Sequence, residues 1–387
     1  MEKDKNMKKM KICMVLDYYY PYVGGIERDF FNLAKNLVKL GHDVYVISLK
    51  VPNTNSYEEI DGIKIYRVYS PIKNRFIACF FMIPKILKIA KNCLFIHTST
   101  YGSLIPSWIC KNILRKKCII TIHEVFNDLW YFIYKSKIKA FIAKLFERFL
   151  LLFNFDLYIV HSNFTKNRLA LFKPKEKIKL SCSGIDYNYF NRKKTKPKLA
   201  RKELGLKNEK IFAYFGRPGP TKGLEYFINS FEEIASKIPN VRFLLVLSTE
   251  PKEGYEYVKK LISESSVKDK IILHKSIPLF SEKGKACLRD YMAAADCIVV
   301  PSISEGFGIV AAEACALDVP VVASNTASLP EVVSGKYLLV KPRDPHAIAK
   351  ACIKVCKGKF KKSKKKLFTI EMRVKSHLSI YKDLLNC

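Results

Sequence analysis

Short apolar runs alternate with amphipathic segments through the first half of the chain. Between two of these runs, the segment GGIERDFFNLAKNLVKLGH repeats apolar residues at helical spacing and predicts a helix that ends at Gly41. Continuous apolar strands joined by helices are typical of a parallel sheet covered on both faces. The pattern therefore predicts a first α/β domain, with strands at KICMVLD, DVYVISL, CLFIHTS, CIITIHE and LYIVHSN.

The alternation stops at residues 191–201, NRKKTKPKLAR, and then resumes. This stretch is polar and basic and contains Pro197, so we predict a linker there. Beyond it we expect helices from Leu224 to about Ser236, near 253–264 and after Gly308, and a closing helix from Leu367. The strands of this half are predicted at KIFAYFG, VRFLLVL, KIILHKS, DCIVVPS and PVVAS. Two doubly wound α/β domains facing one another across a cleft are the expected architecture.

The length and the composition agree with this division. A chain of 387 residues exceeds the size at which one core stops growing, about 250–300 residues. Its twelve cysteines include no Cys-x-x-Cys pair, which argues against a disulfide framework or a structural zinc site and for a reducing compartment. The apolar run at 12–16 is too short for a signal peptide, and no segment approaches the roughly 20 apolar residues of a membrane span. We expect a cytoplasmic protein.

The formal net charge of +33 changes the picture of possible partners. Such an excess, with a dense run at 357–366, favours an anionic partner: nucleic acid, acidic lipid headgroups or phosphorylated substrates. The alternative is a solvated, lysine-rich surface. Segments 81–92 and 134–153 mix basic residues with apolar and aromatic ones, as helices at a membrane surface do. For 134–153 we favour an ordinary helix packed on the sheet, and peripheral contact with an anionic membrane remains a hypothesis.

Polar residues follow the predicted strands at the edge where ligands gather in such sheets. They are His97, His123, Glu124, His161 and Ser162. We interpret His97 and His161, like His274 in the second half, as packed or hydrogen-bonded residues. Lining of the cleft by His161 and Ser162 is the alternative.

The segment YFGRPGPTKGLEYF at 214–227 places two cations around a turn. A strand ends at Phe215, a helix begins near Leu224, and Arg217 and Lys222 flank the turn between them. Helix-start amides together with two cations suit a diphosphate. The segment lacks the Gly-Lys-[Ser/Thr] ending of a Walker loop and the G-x-G-x-x-G dinucleotide pattern. A basic surface loop is the alternative.

The segment SEGFGIVAAEAC places two acids across a tight turn. Glu305 lies in the loop, and Gly306, Phe307 and Gly308 bring backbone amides close to a ligand. Glu305 alone has a structural alternative, since an acid beside a helix start complements the helix dipole. Glu313 interrupts an otherwise apolar helix face, where a carboxylate needs hydrogen-bond donors. Sugar hydroxyls are such donors.

The glutamate pair with seven intervening residues resembles the signature of retaining GT-B glycosyltransferases of family GT4. Other segments are similar to the family's in the same order: YYYPYVGGIERDFFNLAKNLVKLGHDVYVIS, TIHE, VHSNFTKNRL, SGIDYNYF, GRPGPTKG, PVVAS and LPEVV. The resemblance implies an acceptor-side Rossmann-like domain at 1–192, a nucleotide-sugar-binding domain at 193–366, and a helix at 367–387 that returns to the first domain.

The resemblance also implies roles for individual residues. Arg217 and Lys222 would bind the diphosphate of the donor, Glu313 the ribose hydroxyls, and Glu305 the hydroxyls of the transferred sugar. Further residues would surround the donor: His123 beside the sugar, Gly24 and Gly25 in a loop that approaches the phosphate and the acceptor, and Gly306 with the amides of Phe307, Gly308 and Ile309. We expect His123, Glu305, Arg217 and Lys222 to be the catalytic residues.

The implied reaction moves a sugar from a nucleoside-diphosphate sugar to a hydroxyl of a glycan or lipid-linked acceptor, with retention of configuration. No D-x-D triplet occurs, so no metal and no other cofactor is expected, and the two cations would replace the metal's charge. Two departures from the family are Asp318, where a glycine is usual, and the missing Gly-Gly pair before Glu331.

Two other functions remain open at this stage. A nucleotide-sugar epimerase of similar fold would work without an acceptor. A basic nucleic-acid-binding protein would explain the charge, but no zinc finger, RNP-type motif or helix-turn-helix pattern supports it.

Overall fold

The computed structural model describes residues 8–22, 24–134, 136–275, 277–280 and 284–386. The chain divides into two compact units. The first consists of Met1–Tyr131, Ser136–Gly184 and Phe368–Cys387, and the second of Phe132–Lys135 and Ile185–Leu367. The segment between 185 and 192, predicted to end the first domain, thus belongs to the second unit.

The first unit is built on an eight-stranded sheet. Its strands are β1 Lys11–Val15, β2 Asp43–Leu49, β3 Tyr57–Ile60, β4 Ile63–Val68, β5 Phe95–Ser99, β6 Lys117–Ile122, β7 Leu157–Val160 and β8 Ile178–Leu180. They lie in the order β3-β4-β2-β1-β5-β6-β7-β8. All neighbours pair in parallel except β3 and β4, which form an antiparallel hairpin.

The second unit has a seven-stranded sheet. Its strands are β9 Lys210–Gly216, β10 Val241–Leu247, β11 Ile271–Lys275, β12 Cys297–Val300, β13 Val321–Ser324, β14 Lys336–Val340 and β15 Lys361–Lys362. Their order is β11-β10-β9-β12-β13-β14-β15, and only the short edge strand β15 is antiparallel to its neighbour.

Helices connect the strands. Those of the first half are α1 Gly25–Lys39, α2 Arg75–Ala78, α3 Ile83–Ala90, α4 Leu104–Leu114, α5 Trp130–Ile133, α6 Lys137–Leu150 and α7 Asn163–Leu169. Those of the second half are α8 Pro197–Glu203, α9 Leu224–Ile228, α10 Phe231–Lys237, α11 Lys252–Ser263, α12 Leu288–Ala294, α13 Ile309–Ala316, α14 Leu329–Val332, α15 Pro345–Cys356 and α16 Ile370–Asn386. In the described part of the chain, no helix combines the length and hydrophobicity that crossing a bilayer requires.

The core of the first unit covers both faces of its sheet, which explains why its strands are apolar along their length. One hydrophobic cluster includes Phe30 and Leu37 of α1, and another includes Ile86 of α3 and Cys110 of α4. The last helix, α16, joins the first cluster through Val374 and Tyr381. The second unit has a similar cluster around its central strands.

The predicted linker at 191–201 is wrong over its second half. Helix α8 begins at Pro197, where the fixed φ and missing N–H of proline suit a first helical position. Ala200 of this helix is fully buried. The predicted helix from Leu224 to Ser236 is in fact two helices, α9 and α10, separated at Asn229 and Ser230.

The interpretation of 134–153 as a helix packed by its apolar face is also wrong. Helix α6 buries only Ala140. Leu150 is half-buried against the core, but the other large apolar side chains are exposed: Ile138, Phe141, Ile142, Leu145, Phe146 and Phe149, followed by Leu152 just beyond the helix. We call this surface the α6 face.

Candidate active site

The central strands of the second unit's sheet define a topological switch point. From β9 the chain passes to β10 on one side, and it later returns to place β12 on the other side of β9. Loops that leave the carboxyl ends of two such neighbouring strands diverge and leave a crevice for a ligand. Here these loops are 217–223, after β9, and 301–308, after β12.

Backbone contacts fix the two loops against each other. The amides of Ile303 and Ser304 donate to the carbonyl oxygen of Thr221 at 2.7 and 3.3 Å. Gly223 adopts a φ of +60°, and a Cβ atom there would lie 2.2 Å from the carbonyl oxygen of Pro301. Only glycine permits both this backbone conformation and this approach. The position of Lys222 relative to the second loop is thereby set.

An ion pair joins the two loops. Lys222 Nζ lies 2.8 Å from Glu305 Oε1, and the same oxygen accepts a hydrogen bond from Ser302 Oγ at 2.9 Å. The side chains are 28% and 15% exposed, so the pair is partly shielded but open to a ligand. The backbone oxygen of Glu305 in turn accepts from Ser328 Oγ at 2.8 Å. The structure therefore brings together a predicted phosphate-binding cation and a predicted sugar-binding acid.

Arg217 begins the first loop, and its side chain is exposed. The buried Tyr214 hydroxyl donates to the Arg217 carbonyl oxygen at 3.1 Å. Burial and the charge of Glu305 raise the pKa of Tyr214, while the Arg217 cation opposes them. Tyr214 thus lies within electrostatic reach of both charged residues and stays a neutral hydrogen-bond donor. Nothing in the sequence pattern had pointed to this tyrosine or to Ser302.

The turn before α13 has the backbone geometry that its glycines predict. Gly308 has a φ of +92°, and a Cβ atom there would lie 2.8 Å from Leu329 Cδ2. Phe307 is buried, Gly306 is half-buried, and Ile309 is the first residue of α13. Since the first amides of a helix have no partner within it, the start of α13 has N–H groups that its own helix does not use.

Glu313 lies within α13 and is only 2% exposed. It sits among Ala311, Ala312 and Ala314, which are also buried, as the sequence pattern indicated. All of the second-half residues predicted for the donor site are therefore on the two loops and the helix that starts from one of them.

Gly24 and Gly25 belong to the first unit. Gly24 is the N-cap of α1, with an extended backbone, and Gly25 is the first residue of the helix. A Cβ atom at Gly24 would lie 2.1 Å from Glu27 Oε2, so the close neighbour of this glycine in the structure is the chain's own carboxylate.

His123 follows β6 in the first unit, and both of its ring nitrogens are occupied there. Nε2 lies 2.8 Å from Ser99 Oγ, and Nδ1 lies 3.2 Å from His161 Nε2. His161 continues the chain through Nδ1, 2.9 Å from the Ser181 carbonyl oxygen. Burial, helped by the Arg373 cation, lowers the pKa of His123 to about 3. His123 is therefore a neutral ring, and proton transfer from it would require one of these bonds to break.

The histidine chain continues into a network that the sequence pattern did not reveal. Arg373 of α16 forms a buried ion pair with Asp29 of α1 and donates to the carbonyl oxygens of Ser181 and Cys182. His97 bonds to Tyr381 of α16 and to Thr121, each at 2.8 Å. The interpretation of His97 and His161 as hydrogen-bonded residues is confirmed. Among the described residues, no three His, Cys, Asp or Glu side chains are grouped so that they could hold a metal ion.

Two family models match the chain and between them cover most of its length. Residues 23–189 match Glycosyltransferase Family 4, and residues 196–367 match Glycosyl transferases group 1. The chain belongs to the family 4 glycosyltransferases. It is a glycosyltransferase, as the resemblance implied.

Several characterised and uncharacterised glycosyltransferases are similar to it over most of their length. An uncharacterized glycosyltransferase of Methanocaldococcus jannaschii is 28% identical over 88% of this chain and 87% of its own. The alpha-monoglucosyldiacylglycerol synthase of Streptococcus pneumoniae is 27% identical over 89% and 78%. The gpi3 subunit of the phosphatidylinositol N-acetylglucosaminyltransferase of Schizosaccharomyces pombe is 23% identical over 83% and 67%.

Solved structures share the fold of this glycosyltransferase. Sucrose-phosphate synthase from Thermosynechococcus elongatus superimposes with a TM-score of 0.79 at 22% identity, covering 98% of this chain and 100% of that one. Anabaena HepE in complex with UDP-glucose gives 0.72 at 17% identity, covering 96% and 100%. The predicted fold class, GT-B with two Rossmann-like α/β domains, is confirmed.

Proposed function

We propose that this glycosyltransferase moves a sugar from a nucleoside-diphosphate sugar to a hydroxyl group of a lipid-linked or glycan acceptor, with retention of configuration and without a metal ion. The observation that carries the proposal is the Lys222–Glu305 ion pair, 2.8 Å long, between the two loops at the second unit's switch point. A cation for the diphosphate and an acid for the sugar are adjacent there.

Each member of the pair has a distinct task in this proposal. Lys222, with Arg217 in the same loop, offsets the negative charge that grows on the departing diphosphate as the glycosidic bond breaks. Glu305 Oε1 accepts hydrogen bonds from both Lys222 and Ser302. No described side chain bonds to Oε2, so this second carboxylate oxygen accepts from the sugar hydroxyls. Glu313 accepts from the ribose hydroxyls.

The two cations are also the reason for proposing metal independence. In a site where Arg217 and Lys222 supply positive charge to the diphosphate, a divalent cation is not required for leaving-group stabilisation. Transfer should therefore continue in excess chelator. An absolute requirement for Mg²⁺ or Mn²⁺ would contradict this part of the proposal.

Retention, which the family resemblance implies, is proposed through attack on the same face as the leaving phosphate. Nuclear magnetic resonance of the product of an α-linked donor should show an α linkage. A β linkage would show inversion and exclude this part of the proposal.

The α6 face supports a membrane-associated acceptor. Exposed apolar and aromatic side chains on this face are accompanied by the exposed cations Lys137, Lys139 and Arg148 on the same helix. Interfacial helices bury such apolar groups at the headgroup boundary while their cations attract anionic lipids. The similarity to an alpha-monoglucosyldiacylglycerol synthase and to a phosphatidylinositol N-acetylglucosaminyltransferase subunit agrees with this. We propose peripheral binding at an anionic membrane surface.

The donor site is tested by two substitutions with matched controls. Lys222→Met should lower kcat/KM by roughly 100-fold or more, the range measured when one charge-stabilising donor is removed. Glu313→Gln should lower kcat/KM by roughly tenfold or more, because it weakens hydrogen bonds to a charged group, which are worth about 1.5–3 kcal/mol. The exposed residues Lys259 and Glu232 provide the controls Lys259→Met and Glu232→Gln, which should retain activity. Hydrolysis and transfer would be followed with labelled UDP-, GDP- and ADP-sugars, and circular dichroism would verify folding.

The same assay separates the alternatives. Isomerised donor without transfer would indicate an epimerase, and no reaction with any donor would remove the proposed function. Full activity of folded Lys222→Met or Glu313→Gln protein would refute the site assignment.

A further inference from the structure

The first unit has its own switch point, at β1 and β5, and the loops there are tightly held. Asp17 follows β1, and its carboxylate accepts from the amides of Gly102 at 3.0 Å and Ser103 at 2.7 Å in the loop after β5. Gly102 also lies against α2, since a Cβ atom there would be 2.8 Å from the Arg75 carbonyl oxygen. The start of α2 is thus fixed at the ligand-binding edge of this sheet.

Arg75, the first residue of α2, presents its guanidinium at this edge. The group lies over the ring of Tyr101, 4.5 Å from the centroid, and 5.2 Å from the centroid of Phe76. Its Nε forms a long ion pair with Asp17 Oδ2, at 3.9 Å, which is beyond hydrogen-bond distance. Within the described parts of the chain, no acceptor bonds to this guanidinium, and 41% of the side chain is exposed. The aromatic rings therefore orient a cation whose donors are available.

Tyr101 has an unusual backbone that supports a functional interpretation. Its φ of +88° lies in the left-handed region, which a residue with a bulky side chain occupies only at an energetic cost. The glycine that would relieve such strain is the next residue, Gly102. The strained residue is the one that supports Arg75, and strain of this kind is concentrated at binding sites.

This cation is also next to the α6 face. Phe76, adjacent to Arg75, contacts Phe146 of α6 edge-to-face with ring centroids 5.0 Å apart. Ile77, Phe80 and Phe81, which follow in α2 and the turn after it, are exposed apolar residues. A charged group that binds at Arg75 thus lies beside a surface suited to hydrocarbon chains.

We propose that Arg75 binds a phosphate group of the acceptor, so that the acceptor class is a phosphate-bearing amphiphile. A guanidinium held in one plane binds two phosphate oxygens at once, which gives orientation as well as charge. The α6 face takes the acyl or polyprenyl part. The proposal rests on the proposed function, because it names the acceptor of that reaction.

The test compares acceptors that differ in phosphate. Phosphatidylglycerol and diacylglycerol, in micelles of a non-ionic polyoxyethylene detergent, would be assayed with the donor that the wild-type enzyme hydrolyses fastest. Glycerol 3-phosphate and glycerol are the soluble counterparts, which distinguish a lipid headgroup from a free phosphate ester. The wild-type enzyme should show a KM about tenfold lower for the phosphate-bearing member of each pair.

Substitutions assign the difference to Arg75. Arg75→Gln should remove the preference by raising KM for the phosphate-bearing acceptors about tenfold. The kcat of transfer, the KM for the neutral acceptors and the rate of donor hydrolysis without acceptor should stay unchanged. Tyr101→Leu should raise the same KM less. The control Lys88→Gln removes an exposed cation of α3 and should have no effect.

Three results would overturn the inference. The first is an equal wild-type KM for the phosphate-bearing and the neutral acceptor of a pair. The second is an equal change in KM for both acceptors in Arg75→Gln. The third applies if no lipid is glycosylated: calorimetry then detects no binding of glycerol 3-phosphate or inorganic phosphate to the wild-type protein. Failure of the proposed function is seen separately, as donor hydrolysis that is absent or indifferent to Lys222→Met.

Discussion

Gly223 holds the two loops of the second unit's site at their contact distance. Its φ is +60°, and only 2.2 Å would separate a Cβ atom at this position from the Pro301 carbonyl oxygen, so two independent constraints meet at one residue. Gly205 provides a natural comparison, because its φ is +68° but nothing lies within 4 Å of a Cβ atom there.

We expect Gly205→Ala to lower the free energy of unfolding by about 1 kcal/mol, the cost of a left-handed alanine. Gly223→Ala should cost a few kcal/mol, because the clash is with backbone and the loops must separate. It should also lower kcat/KM, since Lys222 moves away from Glu305. Urea unfolding followed by circular dichroism and the donor hydrolysis assay provide the measurements. Equal costs at the two glycines would show that the close approach has no energetic consequence.

The positions of the residues proposed for the donor site could be predicted from the sequence, because each lies on a local segment. Arg217 and Lys222 flank one turn, and Glu305 and Glu313 flank another, so strand–loop–helix patterns already place them at sheet edges. The surroundings of His123 could not be predicted in the same way. Its network depends on Arg373, which pairs with Asp29 across a separation of 344 residues. No local pattern encodes such a contact.

At the scale of elements, α6 shows how far an amphipathic pattern can be interpreted. The pattern correctly predicts a helix with one apolar side, but it does not specify which side the protein covers. Glu147 attaches the polar side of the helix to the protein. Its carboxylate accepts from the amides of Phe126 and Asn127 at 2.7 and 2.6 Å and from Trp130 Nε1 at 3.1 Å. A polar attachment therefore holds the helix, and the α6 face stays exposed.

Other elements were predicted or missed for similar reasons. The central strands are apolar along their length and were predicted, because burial on both faces leaves no other composition. The hairpin of β3 and β4 was missed, since β3 is half-exposed and its residues YEEI carry little apolar signal. The sequence pattern predicts a linker in place of helix α8, because the basic residues of this segment outnumber its single buried residue, Ala200.

We expect the α6 face to determine membrane binding. Phe141→Ser combined with Leu145→Ser should reduce binding to vesicles containing anionic phospholipid by at least tenfold, because two large apolar groups no longer leave water. Binding of the wild-type protein should weaken at high salt, since the helix's cations contribute through screened attraction. Flotation at low and high salt measures both effects.

Ile113→Ser is the matched control for this experiment. Ile113 of α4 is 60% exposed, close to the 56% and 58% of Phe141 and Leu145, but it lies on another helix. Its substitution should leave vesicle binding unchanged. Wild-type protein that fails to float with anionic vesicles at low salt would remove the membrane proposal.

At the scale of the whole molecule, the buried histidines make the first unit sensitive to acid. Burial is the main cause that lowers the pKa of His97 to about 3, as it does for His123, and it lowers the pKa of His161 and His377 well below the usual value. In the unfolded chain each histidine titrates near pH 6.5. Below that pH the unfolded chain binds protons that the folded unit does not bind. The contribution of these histidines to the free energy of unfolding is therefore fully present above pH 6.5 and is lost as the pH falls.

At pH 5.5, each of these histidines should reduce the free energy of unfolding by about 1.3 kcal/mol relative to pH 7, or the four together by about 5 kcal/mol. Asp29, whose pKa burial raises despite the Arg373 cation, opposes part of this loss at lower pH. Both tryptophans, Trp108 and Trp130, belong to the first unit, so urea unfolding followed by tryptophan fluorescence reports on it directly.

The exposed His346 supplies the control for the pH experiment. It pairs with Glu233 on the surface of the second unit, and His346→Gln should leave the pH dependence of the fluorescence transition unchanged. An unfolding midpoint that is equal at pH 7.5 and 5.5 would show that the buried histidines take up protons in the folded protein.

The return of α16 to the first unit has a consequence for biosynthesis. Tyr381 packs against Phe95 with ring centroids 4.7 Å apart, and Arg373 supplies the cation for buried Asp29. The amino-terminal unit therefore cannot complete its core until residues 370–386 have emerged from the ribosome, by which time the segment 185–367 is already free to fold. The half that is translated first is the half that matures last, and until then its nascent chain leaves apolar surface and a lone carboxylate for chaperones to cover.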